Sequence, residues 1–189
     1  MILIYAFSNQ WGTNISRRTL LELQKIMSPF HQGEMSQSDR GVLSSKNNLN
    51  INFQLIYFHP RQFFQKYINF KNYDLIVGLG DLYSDFPKIR IETQAKNAFN
   101  DQSIYPFSPI LLDLNIPNID NHDSNIFSIS SNMGTYNCNW IAYSTQLYLN
   151  QKNLNTKHLF LHLPKKYNAK FLSQQINFLL ESNKLLNNF

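Results

Sequence analysis

The chain holds one cysteine, Cys138, at the point where a polar, glycine-containing stretch (Ser130-Ser131-Asn132-Met133-Gly134-Thr135) gives way to a helical pattern. Backbone N–H groups at a helix start lack acceptors and carry partial positive charge. They favour a thiolate and can hold an oxyanion. A thiol nucleophile needs a base within reach, and the base needs an acceptor that fixes its ring. His162 follows the apolar run Leu159-Phe160-Leu161 and precedes Leu163-Pro164, so its ring can project from a strand end, while Glu92 follows Ile89-Arg90-Ile91. With Cys138 as nucleophile, His162 as base and Glu92 as orienting carboxylate, the set suffices for acyl transfer. Plainer readings stand beside this one: a small buried cysteine, a core histidine bonded to backbone and a surface carboxylate.

Those residues must be carried by elements that converge. Ile2–Phe7 is a continuous apolar run, as in a strand covered on both faces. Ser16 is the expected N-cap of a helix through Leu20, Leu21, Leu23 and Ile26, which Ser28-Pro29 ends. A long polar loop is expected from His31 to Asn50, then a strand over Ile51–Phe58, a helix over Arg61–Phe70 and a buried strand over Tyr73–Val77 leading into Gly78-Leu79-Gly80. Ile89 and Ile91, with Thr93, mark another extended segment, and Asp101–Asp123, with three prolines, reads as loop. Ile126–Ile129 is a short strand, Tyr136–Leu149 a helix, Leu159–Leu163 a strand and Ala169–Leu186 an amphipathic helix. Strands alternating with helices predict an α/β fold: a three-layer α/β/α sandwich around a central, mostly parallel twisted sheet, with residues 1–189 forming a single domain. In such folds ligands gather beyond the carboxyl ends of the strands, where Phe7-Ser8, Gly78–Gly80, Ser130–Cys138 and His162 are all expected.

Composition narrows the function classes. Apolar residues make up 43% of the 189, with 15 Phe and 10 Tyr, which is enough to build a core and argues against disorder. The net charge of +5 raises nucleic acid as a partner, but Arg17-Arg18 and Lys165-Lys166 are the densest basic sites. Without a basic stripe the expectation is a basic surface and no nucleic-acid partner, a basic aromatic-rich nucleic-acid binder being the remaining alternative. One cysteine cannot form an internal disulfide. Met1–Phe7 is too short to cross a bilayer and lacks a basic start, so no membrane partner is expected and the cytoplasm is the expected compartment.

The segment Ser131-Asn132-Met133-Gly134-Thr135-Tyr136-Asn137-Cys138-Asn139-Trp140 resembles the cysteine motif of the pyroglutamyl peptidase I (pyrrolidone-carboxylate peptidase) family. Leu161-His162-Leu163-Pro164 resembles the family's histidine motif, and Ile91-Glu92 with Asn97 its glutamate motif. Tyr73–Leu79 resembles the strand before that. The four come in the family's order, from about Tyr73 to the C-terminus, and the N-terminal half matches more loosely. The resemblance implies a thiol omega-peptidase that removes an N-terminal pyroglutamyl residue from peptides. Cys138 would form a thioester with the pyroglutamyl acyl group, His162 would shuttle the proton, Glu92 would hold the ring, and no cofactor or metal would enter. It also implies a peptide substrate with N-terminal pyroglutamate and, because the family often forms tetramers, a homo-oligomer (tetramer or dimer).

The family's first loop brings two Phe against the lactam ring; Phe7 matches the first, Trp11 is the best candidate for the second, and Asn14-Ile15-Ser16 resembles the loop's closing Asn-Pro-Ser. With Gly78 and Leu79 these make the expected substrate-binding set: Phe7, Trp11, Asn14, Gly78 and Leu79. The chain departs from the pattern where Phe7-Ser8-Asn9-Gln10-Trp11-Gly12 replaces Phe-x-Pro-Phe-Gly-Gly, and where Gly80-Asp81-Leu82-Tyr83-Ser84 replaces a glycine-rich stretch ending in Arg. Gln102 stands where an Arg near the oxyanion is expected. These departures keep open a relative that acts on another acyl substrate or only binds a peptide terminus.

Overall fold

The structure is a computed structural model that describes residues 1–9, 11–28, 50–57 and 59–186. The loop expected over 31–50 therefore lies outside the described residues, except for Asn50. Six strands form one sheet, β1 (Ile2–Phe7), β2 (Ile51–Ile56), β3 (Leu75–Leu82), β4 (Ile89–Glu92), β7 (Phe127–Ser130) and β8 (Lys157–Pro164), in the order β2-β1-β3-β8-β4-β7. β5 (Gln94–Lys96) and β6 (Leu111–Asp113) make a separate antiparallel pair, with β6 inside the stretch Asp101–Asp123 expected to be mostly loop. The helices are α1 (Ile15–Met27), a short α2 (Pro60–Phe63), α3 (Asn137–Gln151) and α4 (Ala169–Ser182). A π-type segment over Phe64–Ile68 continues directly from α2, so the helix expected over Arg61–Phe70 runs from Pro60 to Ile68 with a change of pitch at Phe64.

Period-two alternation assigns each strand residue to one of two cores. Ile2, Ile4, Ala6, Leu75, Val77, Leu79, Ile89, Ile91, Leu159, Leu161 and Leu163 face the layer built by α1 and α4. Leu3, Tyr5, Ile76 and Phe160 face the layer of α2 and α3. The arrangement is the expected three-layer α/β/α sandwich. α1 buries Ile15, Thr19, Leu20 and Leu23, and α4 buries Leu172, Ile176, Leu179 and Leu180. Each such leucine or isoleucine contributes roughly 1.5–3 kcal/mol by leaving water. α4 opens on Asn168, whose side chain accepts the Phe171 N–H at 2.8 Å.

Four strands, β2, β1, β3 and β8, run parallel; β4 pairs antiparallel to β8, and β7 is parallel to β4. The sheet is thus mostly parallel with two reversed strands at one side. The reversal governs what reaches the site. Across β3, β8 and β4 the register sets Gly80 beside His162 and His162 beside Arg90 on the α3 face, with Glu92 beside Phe160 one step deeper. Because β7 also points away from the carboxyl ends of β1, β3 and β8, Ser130 is not at the ligand-binding edge; residues 131–136 bring the chain to the start of α3.

Ser16 is not the N-cap of α1. Asn14 holds the cap position, and Ser16 lies in the first turn, fully buried. The capping acceptor comes from β3: Asp81 accepts the N–H groups of Ile15 (3.3 Å) and Ser16 (2.9 Å) and the Ser16 hydroxyl (2.6 Å). A carboxylate at a helix N-terminus is favoured by the unpaired N–H groups and by the macrodipole. α1 is thereby fastened to the end of β3.

His158 on β8 is fully buried, with Nδ1 3.3 Å from Gln146 Oε1, and burial lowers its pKa to about 3. The unfolded chain binds this proton near the ordinary imidazole value, about 6.5, so stability is complete above that pH and falls as pH drops toward 3. Urea titrations between these limits should show a loss that is shallower in His158→Gln, by at most about one proton or roughly 1.4 kcal/mol per pH unit. An unchanged slope would refute the assignment.

Candidate active site

The carboxyl ends of β1, β3 and β8, the start of β4 and the start of α3 enclose a cleft of about 600 Å³, within the usual range for small-molecule sites. Phe7, Asn14, Asp81, Tyr83, Arg90, Met133, Tyr136, Cys138 and His162 are among the residues that line it.

Cys138 is the second residue of α3 and is half-buried. The first intrahelical bond is Trp140 N–H to Tyr136 O at 2.9 Å, so the N–H groups of Asn137, Cys138 and Asn139 are not committed to the helix. The helix start is held by the next residue. Asn139, fully buried, donates from Nδ2 to Lys96 O (2.9 Å) and Ala98 O (2.6 Å) and accepts the Lys96 N–H at 2.7 Å. These three bonds fix the helix, and with it the sulfur, against β5. Asn97, the asparagine of the glutamate motif, ties the following loop instead, through Tyr105 N–H and O and Ser108 O.

His162 is 6% exposed, and its Nδ1 lies 2.8 Å from Oε1 of Glu92, which is wholly buried. That bond leaves Nε2 on the other side of the ring. Because β4 is antiparallel, Glu92 stands two residues below the cleft and reaches up to the imidazole from underneath. Sulfur and imidazole meet over Gly80, where a β-carbon would lie 2.7 Å from Cys138 Sγ and 2.9 Å from His162 Cδ2. Both atoms therefore border the same small space, and any side chain there would press on sulfur and imidazole alike. Gly80 is the floor of the site.

The helix start does not leave the thiol acidic. Burial pushes the Cys138 pKa well above its ordinary value, and the carboxylates of Asp81 and Glu92 raise it further. The residue's own backbone N–H acts the other way and is outweighed. The resting group is a neutral thiol, where the sequence favoured a thiolate.

The five expected substrate-binding residues separate. Phe7 and Asn14 line the cleft. Asn14 also closes the loop, accepting the Asn9 N–H at 2.7 Å and donating to Asp81 Oδ2 at 3.3 Å. Trp11 does not line the cleft and is 75% exposed, because the bonds between Asn9 and Thr13–Asn14 close a tight loop with Trp11 at its outer turn. Gly78 and Leu79 also fall outside it. β3 continues to Leu82, so both lie within the strand rather than past its end. Leu79 is fully buried in the α1–α4 core on the opposite face, and Gly78 is packed against the Phe160 ring and the Tyr5 hydroxyl. Gln102 sits in an exposed bridge with Phe99 and is also absent from the cleft.

The sequence reading placed Gly80 only as part of a strand end and missed Asp81 and Arg90. The signals were an acidic residue closing the apolar strand Leu75–Gly80, and an arginine between two buried isoleucines. The first needs the seat of α1 on β3 to be interpreted, and the second the direction of β4.

Because Cys138 is the sole cysteine, its alkylation by iodoacetamide can be followed cleanly by mass spectrometry. The rate should go on climbing with pH beyond about 8.5, where an ordinary thiol levels off, and Asp81→Asn should shift the profile to lower pH. A plateau near neutrality would contradict the raised thiol.

No protein-family model matches the chain, and no curated protein sequence matches it significantly. Solved structures do resemble it. The pyrrolidone carboxyl peptidase of Fervidobacterium islandicum AW-1 aligns over 97% of this chain and 98% of its own, with a TM-score of 0.71 and 18% identity. That of Thermococcus litoralis covers 97% and 92%, with a TM-score of 0.68 and 15% identity. The pyroglutamyl peptidase I of Bacillus amyloliquefaciens covers 96% and 93%, with a TM-score of 0.69 and 14% identity. At such identities the likeness is one of fold: this chain has the α/β architecture of those peptidases over nearly its whole length.

Proposed function

We propose that the protein is a cysteine-type omega-peptidase that removes an N-terminal pyroglutamyl residue from peptides. The observation that carries this reading is the meeting of Cys138 and the His162–Glu92 pair over Gly80, in a cleft on a fold shared with pyroglutamyl peptidases.

In this reading the pyroglutamyl carbonyl lies over Cys138 Sγ. As sulfur bonds to the carbonyl carbon, its proton passes to His162 Nε2, and Glu92 stabilises the imidazolium through Nδ1. A neutral resting thiol makes this a general-base step, with proton transfer coupled to attack rather than preceding it. The uncommitted N–H groups of Asn137, Cys138 and Asn139 are the donors available to the tetrahedral oxyanion. The imidazolium then protonates the leaving amine, which departs and leaves a thioester, and water activated by the same ring releases pyroglutamate. No cofactor is required. The cleft residues Phe7 and Met133 offer apolar surface for the lactam ring.

One observation favours a second reading, in which the same chemistry acts on a different acyl group. Trp11 lies outside the cleft, so Phe7 alone of the expected aromatic pair reaches it. A panel of N-acyl and aminoacyl fluorogenic amides separates the two readings by which substrate is cleaved fastest.

Purified protein should release the fluorophore from a pyroglutamyl amide, and Cys138→Ser or His162→Ala should abolish release. Glu92→Gln should lower kcat by about 10²–10⁴, by analogy with loss of the orienting acid in other triads. No release by folded, reduced wild type would refute the pyroglutamyl reading. Gly80→Ala should fold, as judged by circular dichroism, yet lose about 10² in kcat/KM by separating sulfur from imidazole; wild-type turnover in that variant would show that the close approach is not needed.

A further inference from the structure

Arg90 is the one cationic side chain lining the cleft, and the mechanism above does not use it. Its position follows from the sheet: the antiparallel pairing of β4 with β8 sets it beside His162 on the α3 face, and it lines the cleft together with His162 and Cys138. Among the described residues it has neither an ion pair nor a hydrogen bond; its guanidinium lies 4.9 Å from the centre of the Phe86 ring. Stacking on an aromatic face holds a guanidinium in place while leaving its five N–H donors free.

The acids in and beneath the cleft are already answered. Glu92 is bound to His162, and Asp81 accepts four donors, from Asn14, Ile15 and Ser16. Neither carboxylate is paired with Arg90. Just outside the cleft, Lys165 is held in the same manner, 4.1 Å from the centre of the Tyr83 ring, and Tyr83 itself lines the cleft. The cleft therefore presents one cation, Arg90, positioned by an aromatic ring and not paired with an acid among the described residues, with a second such cation near its rim. Such a surface fits a carboxylate, whose two oxygens match the guanidinium fork.

The order of groups on the sheet gives the direction. Cys138 stands over Gly80, His162 comes next and Arg90 lies beyond it. With the acyl carbonyl at the sulfur and the leaving nitrogen at the imidazole, the rest of the leaving residue continues toward Arg90.

We propose that Arg90 forms an anion subsite on the leaving-group side, which selects substrates whose residue after the scissile bond carries a free carboxylate, as an acidic side chain or as the end of a dipeptide. This rests on the acyl-transfer reading above. Arg90 acts on the leaving residue and not on the oxyanion.

The test compares pyroglutamyl-glutamate with pyroglutamyl-glutamine amide in wild type, Arg90→Gln and Arg90→Lys. Wild type should favour the acidic substrate by about tenfold or more in kcat/KM, as expected for a charge-assisted pair, with the difference in KM. The preference should collapse toward one in Arg90→Gln and partly return in Arg90→Lys. Equal kcat/KM values in wild type would overturn the subsite and leave the peptidase reading intact. A fall in kcat of equal size for both substrates, with KM unmoved, would also overturn it, by placing Arg90 at the oxyanion. If neither peptide is cleaved, the pyroglutamyl reading fails, and the subsite is judged on Cys138 itself. Iodoacetate and iodoacetamide both form a thioether by displacing iodide, but only the first carries a carboxylate. The ratio of the two rates should be several-fold higher in wild type than in Arg90→Gln; an identical ratio would overturn the subsite.

Discussion

A carboxylate without water must find a partner or it destabilises the fold, because removing an ion from water costs several kcal/mol. Glu92 is in that position: it is wholly buried, one oxygen is bound to His162 Nδ1, and the other has no hydrogen-bond partner among the described residues. The single bond to His162 therefore carries the compensation. It requires β4 to lie antiparallel against β8 in the register that puts Glu92 next to Phe160 and diagonally below His162. A shift by one residue would turn Glu92 into the α1–α4 core, where Ile89 and Ile91 now pack, and would strip the imidazole of its acceptor. Strand register, ring orientation and the direction of Nε2 are thus one constraint. Buried ionic groups seldom repay their desolvation in stability, so their presence in the middle of a sheet points to chemistry.

The remaining parts of the site are fixed to this pair by polar side chains that have no catalytic duty. Asn139 fastens the start of α3 to β5, which sets the depth of the sulfur. Asp81 fastens the start of α1 and the loop before it to the end of β3, which sets Phe7 and Asn14 at the cleft wall. Both do so with several short hydrogen bonds to backbone N–H or C=O groups, which stay strong because they are screened from water. Asp81 has an electrostatic side effect, since its charge helps to hold Cys138 protonated. Anchoring and thiol activation are in tension here, and in the proposed reading a general-base role for His162 reconciles them.

Much of this was legible in the chain. Short apolar runs located β1, β2, β7 and β8 to within a few residues, and the start of β3. The three-layer sandwich followed from the alternation of strands with amphipathic helices, and Cys138, Glu92 and His162 were singled out by residue type and place. The misses share a cause. Ser16 looked like a cap because Ser is a good one; the actual acceptor, Asp81, lies far along the chain. Gly78 and Leu79 looked like cleft residues because a Gly-Leu-Gly run reads as the end of a strand, yet β3 runs through it. Trp11 looked like a pocket aromatic because spacing in a loop says nothing about which way the loop folds.

Local pattern therefore determined which segments become strands and helices, which faces of them are apolar, and which residues have the chemistry for acyl transfer. It could do so because side-chain period, capping preference and nucleophile chemistry are properties of neighbouring residues. What only the tertiary structure decided was the reversal of β4 and β7, the closeness of sulfur and imidazole over Gly80, the protonated thiol and the arrival of Arg90 in the cleft beside His162. Each of these depends on the direction and depth at which distant strands pair. Those are set by burial summed over the whole sheet, which no short stretch of sequence records.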